Sequence, residues 1–240
     1  MENKTLKHLK DNLIVSCQAL EEEPLHSSFI MSRMALAAVQ SGAVGIRANS
    51  VKDIKAIQET VSVPIIGILK KVYPDSPVFI TPTLAEVREI CATGVEIVAM
   101  DATLRKRPNE EKLKDIVTTI KAEYPNTLLM ADTSSIADVK KAEEIGFEII
   151  GTTLYGYTDE TQHENIADDD FIFLKEVLKA TNLPVIAEGK IDTPLKARKV
   201  LELGCHCVVI GGAITRPQQI TLTFVSEINK MGKGNKSDRK

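Results

Sequence analysis

Eight short runs of apolar residues punctuate the chain, and between them apolar positions recur every three or four residues. The runs begin near Leu13, Ala43, Pro64, Ile97, Thr127, Ile149, Pro184 and Cys207. Each is apolar at nearly every position, which predicts strands buried on both faces in a parallel sheet. Segments such as SVKDIKAIQETV, TLAEVREICATG, SIADVKKAEEIG and TPLKARKVLELG carry the spacing of amphipathic helices. Successive strand starts lie roughly 28 residues apart, close to what eight βα units need in a chain of about 250 residues.

Four of the strands share one grammar: SGAVGIRA, TGVEIVAMD, IGFEIIGTT and LGCHCVVIGG. Each opens on a glycine that ends an amphipathic run, the residue type that caps a helix in the left-handed region without strain. They are strands two, four, six and eight. Three of the other four are entered through proline, at Pro64, Pro125-Asn126 and Pro184. The economical architecture is a single closed (β/α)8 barrel over residues 1–230, followed by a polar tail, 231–240, expected to lack order. An open doubly wound sheet is the alternative, disfavoured because no G-x-G-x-x-G follows the first strand.

Composition narrows the partners. The 240 residues carry a formal net charge of −3 and 4% aromatics without tryptophan, so neither a basic patch nor a stacking platform for nucleic acid is expected. The N-terminus, MENKTLKHLKDN, lacks the apolar core of a signal peptide, and no apolar run reaches the length of a membrane span. Four cysteines form no disulfide framework in a chain of this size, which suits a reducing cytoplasm. Cys205 and Cys207 flank His206, but alternate residues of one strand face the same way and the middle one faces opposite, so they are expected to be packing residues and not metal ligands.

In such a barrel, chemistry lies at the C-terminal strand ends. Read in order, these are Gln18, Arg47, Lys70, Asp101, Asp132, Thr152, Glu188, and Gly211 with Gly212. A converging ring of this kind points to a polar ligand. The eighth end, VVIGGAITRP, is the most specific: two glycines let the backbone approach a ligand, a short helix can follow, and Arg216 can add a bidentate fork. With Gly189 after strand seven, this predicts a phosphate site at the strand 7–8 loops. The rest of the ligand then lies over Lys70, Asp132 and Glu188. No histidine sits at a strand end and no spacing is that of a metal site, so neither metal nor cofactor is expected. A barrel mouth near Arg47 should lower the Lys70 pKa and supply a neutral amine as base, or as a Schiff-base nucleophile. Burial should raise Glu188, and Lys70 with Lys190 should lower it; the sequence leaves the balance open.

The stretches SCQALEEEPLHSSFIMSRMALAA, GAVGIRANS, IGILKKVYPDS, GTTLYGYT, IAEGKIDTP and VVIGGAITRPQQIT closely resemble the N-acylglucosamine-6-phosphate 2-epimerases of bacterial sialic-acid and amino-sugar catabolism. The resemblance runs from about Leu13 to Phe224. It implies a metal-independent (β/α)8 barrel that inverts the acetamido-bearing carbon, interconverting N-acetylmannosamine 6-phosphate and N-acetylglucosamine 6-phosphate. It implies Lys70 as the acid/base at that carbon and Glu188 as partner in ring opening or proton transfer. Gln18, Arg47 and Asp132 would hold the sugar, and Gly189, Gly211, Gly212 and Arg216 the phosphate; Thr152, from its place at a strand end, is expected as a further substrate contact. A cytoplasmic enzyme, free or as a homodimer, is the corresponding expectation. Lys71, Val72 and Lys190 depart from the family pattern, since LKKVY stands for something closer to VKRDY and AEGKI for AEGNI.

Two rivals share the scaffold: a Schiff-base aldolase or lyase using Lys70, and a non-catalytic sugar-phosphate sensor, which has no use for a buried base. LRKRPNEEK, Arg105 to Lys112, is expected to be a solvated loop, and VYPDSPVFITPT a long loop over the mouth.

Overall fold

The computed structural model describes residues 3–231. Eight parallel strands pair in chain order and close on themselves: β1 (Leu13–Cys17), β2 (Gly45–Asn49), β3 (Ile65–Ile68), β4 (Ile97–Asp101), β5 (Leu128–Asp132), β6 (Ile149–Gly151), β7 (Val185–Glu188) and β8 (Cys207–Ile210), with β8 pairing to β1. The helices are α1 (Lys4–Leu9), α2 (Ser28–Gln40), α3 (Val51–Gln58), α4 (Leu84–Cys91), α5 (Leu113–Glu123), α6 (Ile136–Ile145), α7 (Asp168–Ala180), α8 (Pro194–Glu202), α9 (Gly212–Thr215) and α10 (Pro217–Lys230). The expected (β/α)8 barrel is the architecture observed, and the open sheet is not. The tail read as lacking order lies, beyond Met231, outside the described residues.

The strands are apolar throughout because each packs on both faces. Ile14, Ile66, Ile97, Met130, Ile149, Ile186, Cys207 and Val209 fill the barrel interior. Val15, Ile46, Val98, Leu129, Ile150, Val185 and Val208 pack outward with the helices. The repeated glycine does what its position predicts: Gly42, Gly94, Gly146 and Gly204 lie at φ of 103°, 79°, 101° and 105°. A side chain with a Cβ would be strained at each.

Two features were not legible in the periodicity. The short helix α1 closes the N-terminal end of the barrel by burying Leu9 against the interior cluster. The ring of His206 lies 2.8 Å from the Leu6 carbonyl, and the Asp11 amide donates to the His206 carbonyl at 2.7 Å. Cys205 packs outside the barrel and Cys207 inside it. At the other extreme α10 buries none of its residues. Among the described residues no helix is long and apolar enough to cross a membrane.

The basic run after β4 is only in part the solvated loop expected: Lys106, Asn109, Glu110 and Lys112 are exposed, but its two arginines are tied down. Arg107 is buried and donates to the Pro82 carbonyl at 2.9 Å, while Arg105 pairs with Asp101 at 2.6 Å. The proline-rich stretch after β3 does fold back over the mouth. Bridges Lys70–Ile80 and Tyr73–Ser76 make it a hairpin.

Candidate active site

Period two along each strand decides which end residues reach the mouth. In β2, Ile46 and Ala48 face the helices, so Gly45, Arg47 and Asn49 face inward. The same alternation turns Gln18, Lys70, Asp132 and Glu188 inward. All but Asp132 line a cavity of about 530 Å³, together with Thr153, Tyr157, Gly189, Lys190, Gly211, Gly212 and Arg216.

The floor is a charge cluster. Arg47, only 1% exposed, grips Asp132 with both Nη atoms, at 3.1 Å to Oδ1 and 2.6 Å to Oδ2. Its Nη1 also donates to Glu188 Oε2 at 2.8 Å. Burial works against the guanidinium charge, but Asp132 and Glu188 outweigh it and hold Arg47 firmly protonated. Thr153 Oγ1 lies 2.6 Å from Asp132 Oδ1 and 3.2 Å from Glu188 Oε2. Between the two carboxylates, where a cation would sit, is the guanidinium. Among the described residues no group of three or more His, Cys, Asp or Glu is placed to hold a metal.

Two groups face the cavity with altered proton affinities. Burial pulls the Lys70 amine down to about 8; Arg47 and Arg216 push the same way, and Glu188 and Glu23 oppose them. Lys70 has no ion-pair partner among the described residues, and its backbone N–H is fixed by Asn49 Oδ1 at 2.8 Å. Burial lifts Glu188 to about 7, with Asp132 adding to the rise and Arg47, Thr153 and Lys70 resisting it. Burial therefore wins the balance that the sequence left open. Glu188 keeps 14% of its side chain exposed. Gln18 donates to Ser16 Oγ at 2.9 Å, and its buried Oε1 has no partner among the described residues.

At the far end, Gly189 lies at φ 112°, where a side chain would be strained. A Cβ on Gly212 would collide with the Gln219 side chain. Arg216 lines the cavity there, gripped by Glu23 through Nε at 2.8 Å.

The structure thus gathers Gln18, Lys70, Glu188, Gly189, Gly211, Gly212 and Arg216 around one cavity, with Arg47 and Asp132 immediately beneath. It does not bring Thr152 to it. That side chain is fully buried, its hydroxyl donating to the Glu188 carbonyl at 2.8 Å and accepting from the Glu188 amide at 3.0 Å. Strand β6 ends at Gly151, so residue 152 points outward and Thr153 points in. Taking the first polar residue after the strand misplaced the contact by one; strict alternation would have found Thr153. Tyr157 was also missed. It comes from the loop between β6 and α7, and no periodicity marks it.

A family profile described as "Putative N-acetylmannosamine-6-phosphate epimerase" matches residues 31–230. The chain is 69% identical over 231 residues to a "Putative N-acetylmannosamine-6-phosphate 2-epimerase" of Listeria monocytogenes, covering 96% of this chain and 98% of the relative. It is 61% identical to the protein of that name in Lactiplantibacillus plantarum, covering 95% and 100%. The solved N-acetylmannosamine-6-phosphate 2-epimerase from Clostridium perfringens superposes with a TM-score of 0.89 at 50% identity, covering 94% of this chain and 97% of that one. The motifs that carried the resemblance, the closed barrel and these matches agree, and the chain belongs to the N-acetylmannosamine-6-phosphate epimerase family.

Proposed function

We propose that this protein interconverts N-acetylmannosamine 6-phosphate and N-acetylglucosamine 6-phosphate by removing and returning the C2 proton, within sialic-acid and amino-sugar catabolism in the cytoplasm. The observation that carries the proposal is Lys70, an inward-facing amine without an ion-pair partner, drawn down to about 8 opposite the Arg47–Asp132–Glu188 cluster. In the open-chain sugar the aldehyde acidifies the neighbouring C2–H. Neutral Lys70 takes that proton, the electron pair passes into the carbonyl to give an enolate, and C2 takes a proton on the opposite face, from Glu188 or from the Lys70 ammonium once the enolate has turned over. Glu188, raised to about 7, keeps a protonated fraction near neutral pH, and that form donates its proton during ring opening or to the developing enolate oxygen.

The remaining residues divide by depth. Arg47 and Asp132 lie below the cavity and hold Glu188 in place. Gln18 meets the acetamido group with its unpartnered Oε1. Gly189, Gly211 and Gly212 present backbone to the phosphate, and Arg216 adds charge. The chemistry uses only proton transfers by these side chains and needs no metal.

The last helix supports a homodimer. Leu222, Phe224, Val225 and Ile228 of α10 are exposed, and a second copy of the chain covers them. Phe224→Glu should then shift the molar mass measured by light scattering to that of a monomer; an unchanged mass removes this support.

The direct assay is NMR of purified protein with each sugar phosphate. Both should converge on one equilibrium mixture. A reduced adduct trapped by borohydride would favour the Schiff-base rival instead.

A further inference from the structure

Arg216 is not free to point anywhere. Its Nε donates to Glu23 Oε1 at 2.8 Å and its Nη2 to Glu23 Oε2 at 3.3 Å. Glu23 lies 193 residues earlier, on the loop after β1. Its carboxylate is held from other sides as well: the Leu20 amide donates to Oε2 at 2.6 Å and Gln218 Nε2 to Oε1 at 2.7 Å. The loop beneath is pinned by its own turns, Glu23 N to Leu20 O at 2.9 Å and His26 N to Glu23 O at 3.0 Å. Burial opposes ionisation of Glu23, yet the donors around it, Arg216 first, hold its pKa below the usual carboxylate range. The carboxylate is therefore charged, beside the place assigned to a phosphate.

An anion next to an anion site repels the ligand unless it does something else. The geometry supplies the other task. Glu23 occupies the Nε–Nη2 edge of Arg216 and leaves Nη1 without a protein partner among the described residues, while Arg216 lines the cavity. A guanidinium has two forks, and a carboxylate on one leaves the other for phosphate. A free arginine loses much rotamer freedom when it grips a ligand; one already clamped has little left to lose.

We infer that Glu23 is a positioning residue for the phosphate end of the site: it clamps one edge of Arg216 so that the other edge meets the substrate phosphate. This rests on the reading of Arg216 as a phosphate ligand. The alternative role is a seam, in which the ion pair merely ties the loop after β1 to the segment after β8.

The two roles separate in a double-mutant cycle of E23A, R216A and the double variant, with N-acetylmannosamine 6-phosphate, unphosphorylated N-acetylmannosamine and inorganic phosphate as a competitive inhibitor. Clamping predicts that E23A raises KM for the sugar phosphate and the inhibition constant for phosphate by about tenfold, a tenfold step being one good charge-assisted contact. It also predicts that kcat falls much less, and that E23A adds almost nothing in the R216A background. A seam predicts equal losses on both sugars, and that result overturns the inference; losses that add would show that the two residues do not act as a pair, which overturns it too. E23Q, which keeps an acceptor in place, guards against a variant that does not fold and should fall between wild type and E23A.

A second readout is the sign of a pH shift. The charged groups acting on Lys70 are Arg47 on β2, Glu188 on β7, Arg216 and Glu23. Removing the negative charge in E23Q moves the kcat/KM profile to lower pH, and removing the positive charge in R216A moves it to higher pH. Shifts of the same sign contradict the placement. Failure of the parent reading looks different: if R216A affects both sugars alike, Arg216 is no phosphate ligand. If R216A discriminates and E23A does not, only the role of Glu23 is lost.

Discussion

At the N-terminal end of the strands the barrel is closed by Leu9 from α1, which belongs to the interior cluster with Ile14, Ile66 and Ile97. At the C-terminal end the same strands finish in Arg47, Asp132 and Glu188, which are nearly as buried and all bear charges or titrate. Apolar burial at the bottom stabilises the fold without direction. The charge cluster at the top gains little net stability, because desolvation offsets the ion pairs, but it fixes where a carboxyl group points. Changes at the bottom should therefore be read out in stability, and changes at the top in chemistry.

Lys70→Ala should show the largest effect, a fall in kcat of about a hundredfold or more for loss of a general base, in a protein that unfolds at its usual temperature. Retained turnover would remove the contrast between the two ends. Glu188→Gln comes next. It keeps shape and loses the titrating proton, so activity should drop by about a hundredfold. It should also remove one limb of the pH profile. In the native protein the profile should be bell-shaped and narrow. Glu188 must hold a proton, which it loses above about 7, and Lys70 must lose one, which it does above about 8. The two limbs belong to the pair and not to either residue alone. A profile that fails to fall on either side of these values, below about 7 or above about 8, would sink the acid/base assignment.

Leu9→Ala should have the smallest effect on chemistry. It should cost about 2–5 kcal/mol of stability in denaturant titration, as large-to-small changes in cores do. KM and kcat should stay close to native at a temperature where the variant is folded. A loss of kcat to match the loss of stability would show that the two ends are not separable.

How much of this could be read beforehand follows the same division. The barrel was legible because its signals are local and repeat: the apolar runs and the capping glycines at Gly42, Gly94, Gly146 and Gly204 each act within a few residues. Most of the site was legible because strand ends are marked by polarity. Thr152 was misread since one residue of offset turns a strand side chain to the other face. Arg107 was read as solvated because its partners, such as the Pro82 carbonyl, are set by the tertiary fold. The clasp between Glu23 and Arg216 joins loops at opposite ends of the chain, and nothing local announces it. Helix α1 is too short for its single buried leucine to register as an amphipathic face.

On the proposed mechanism the Lys70 amine, in its neutral form, removes the C2 proton. The most direct test is deuterium incorporation at C2 from heavy water, followed by NMR for the native protein and for Lys70→Ala at several pH values. The native reaction should place solvent deuterium at C2; single-turnover exchange in Glu188→Gln should rise with pH, with a midpoint below the native value of about 8 because Glu188 holds the Lys70 pKa up, and Lys70→Ala should show no enzyme-dependent exchange at any pH. Exchange at a native rate in Lys70→Ala would contradict the mechanism.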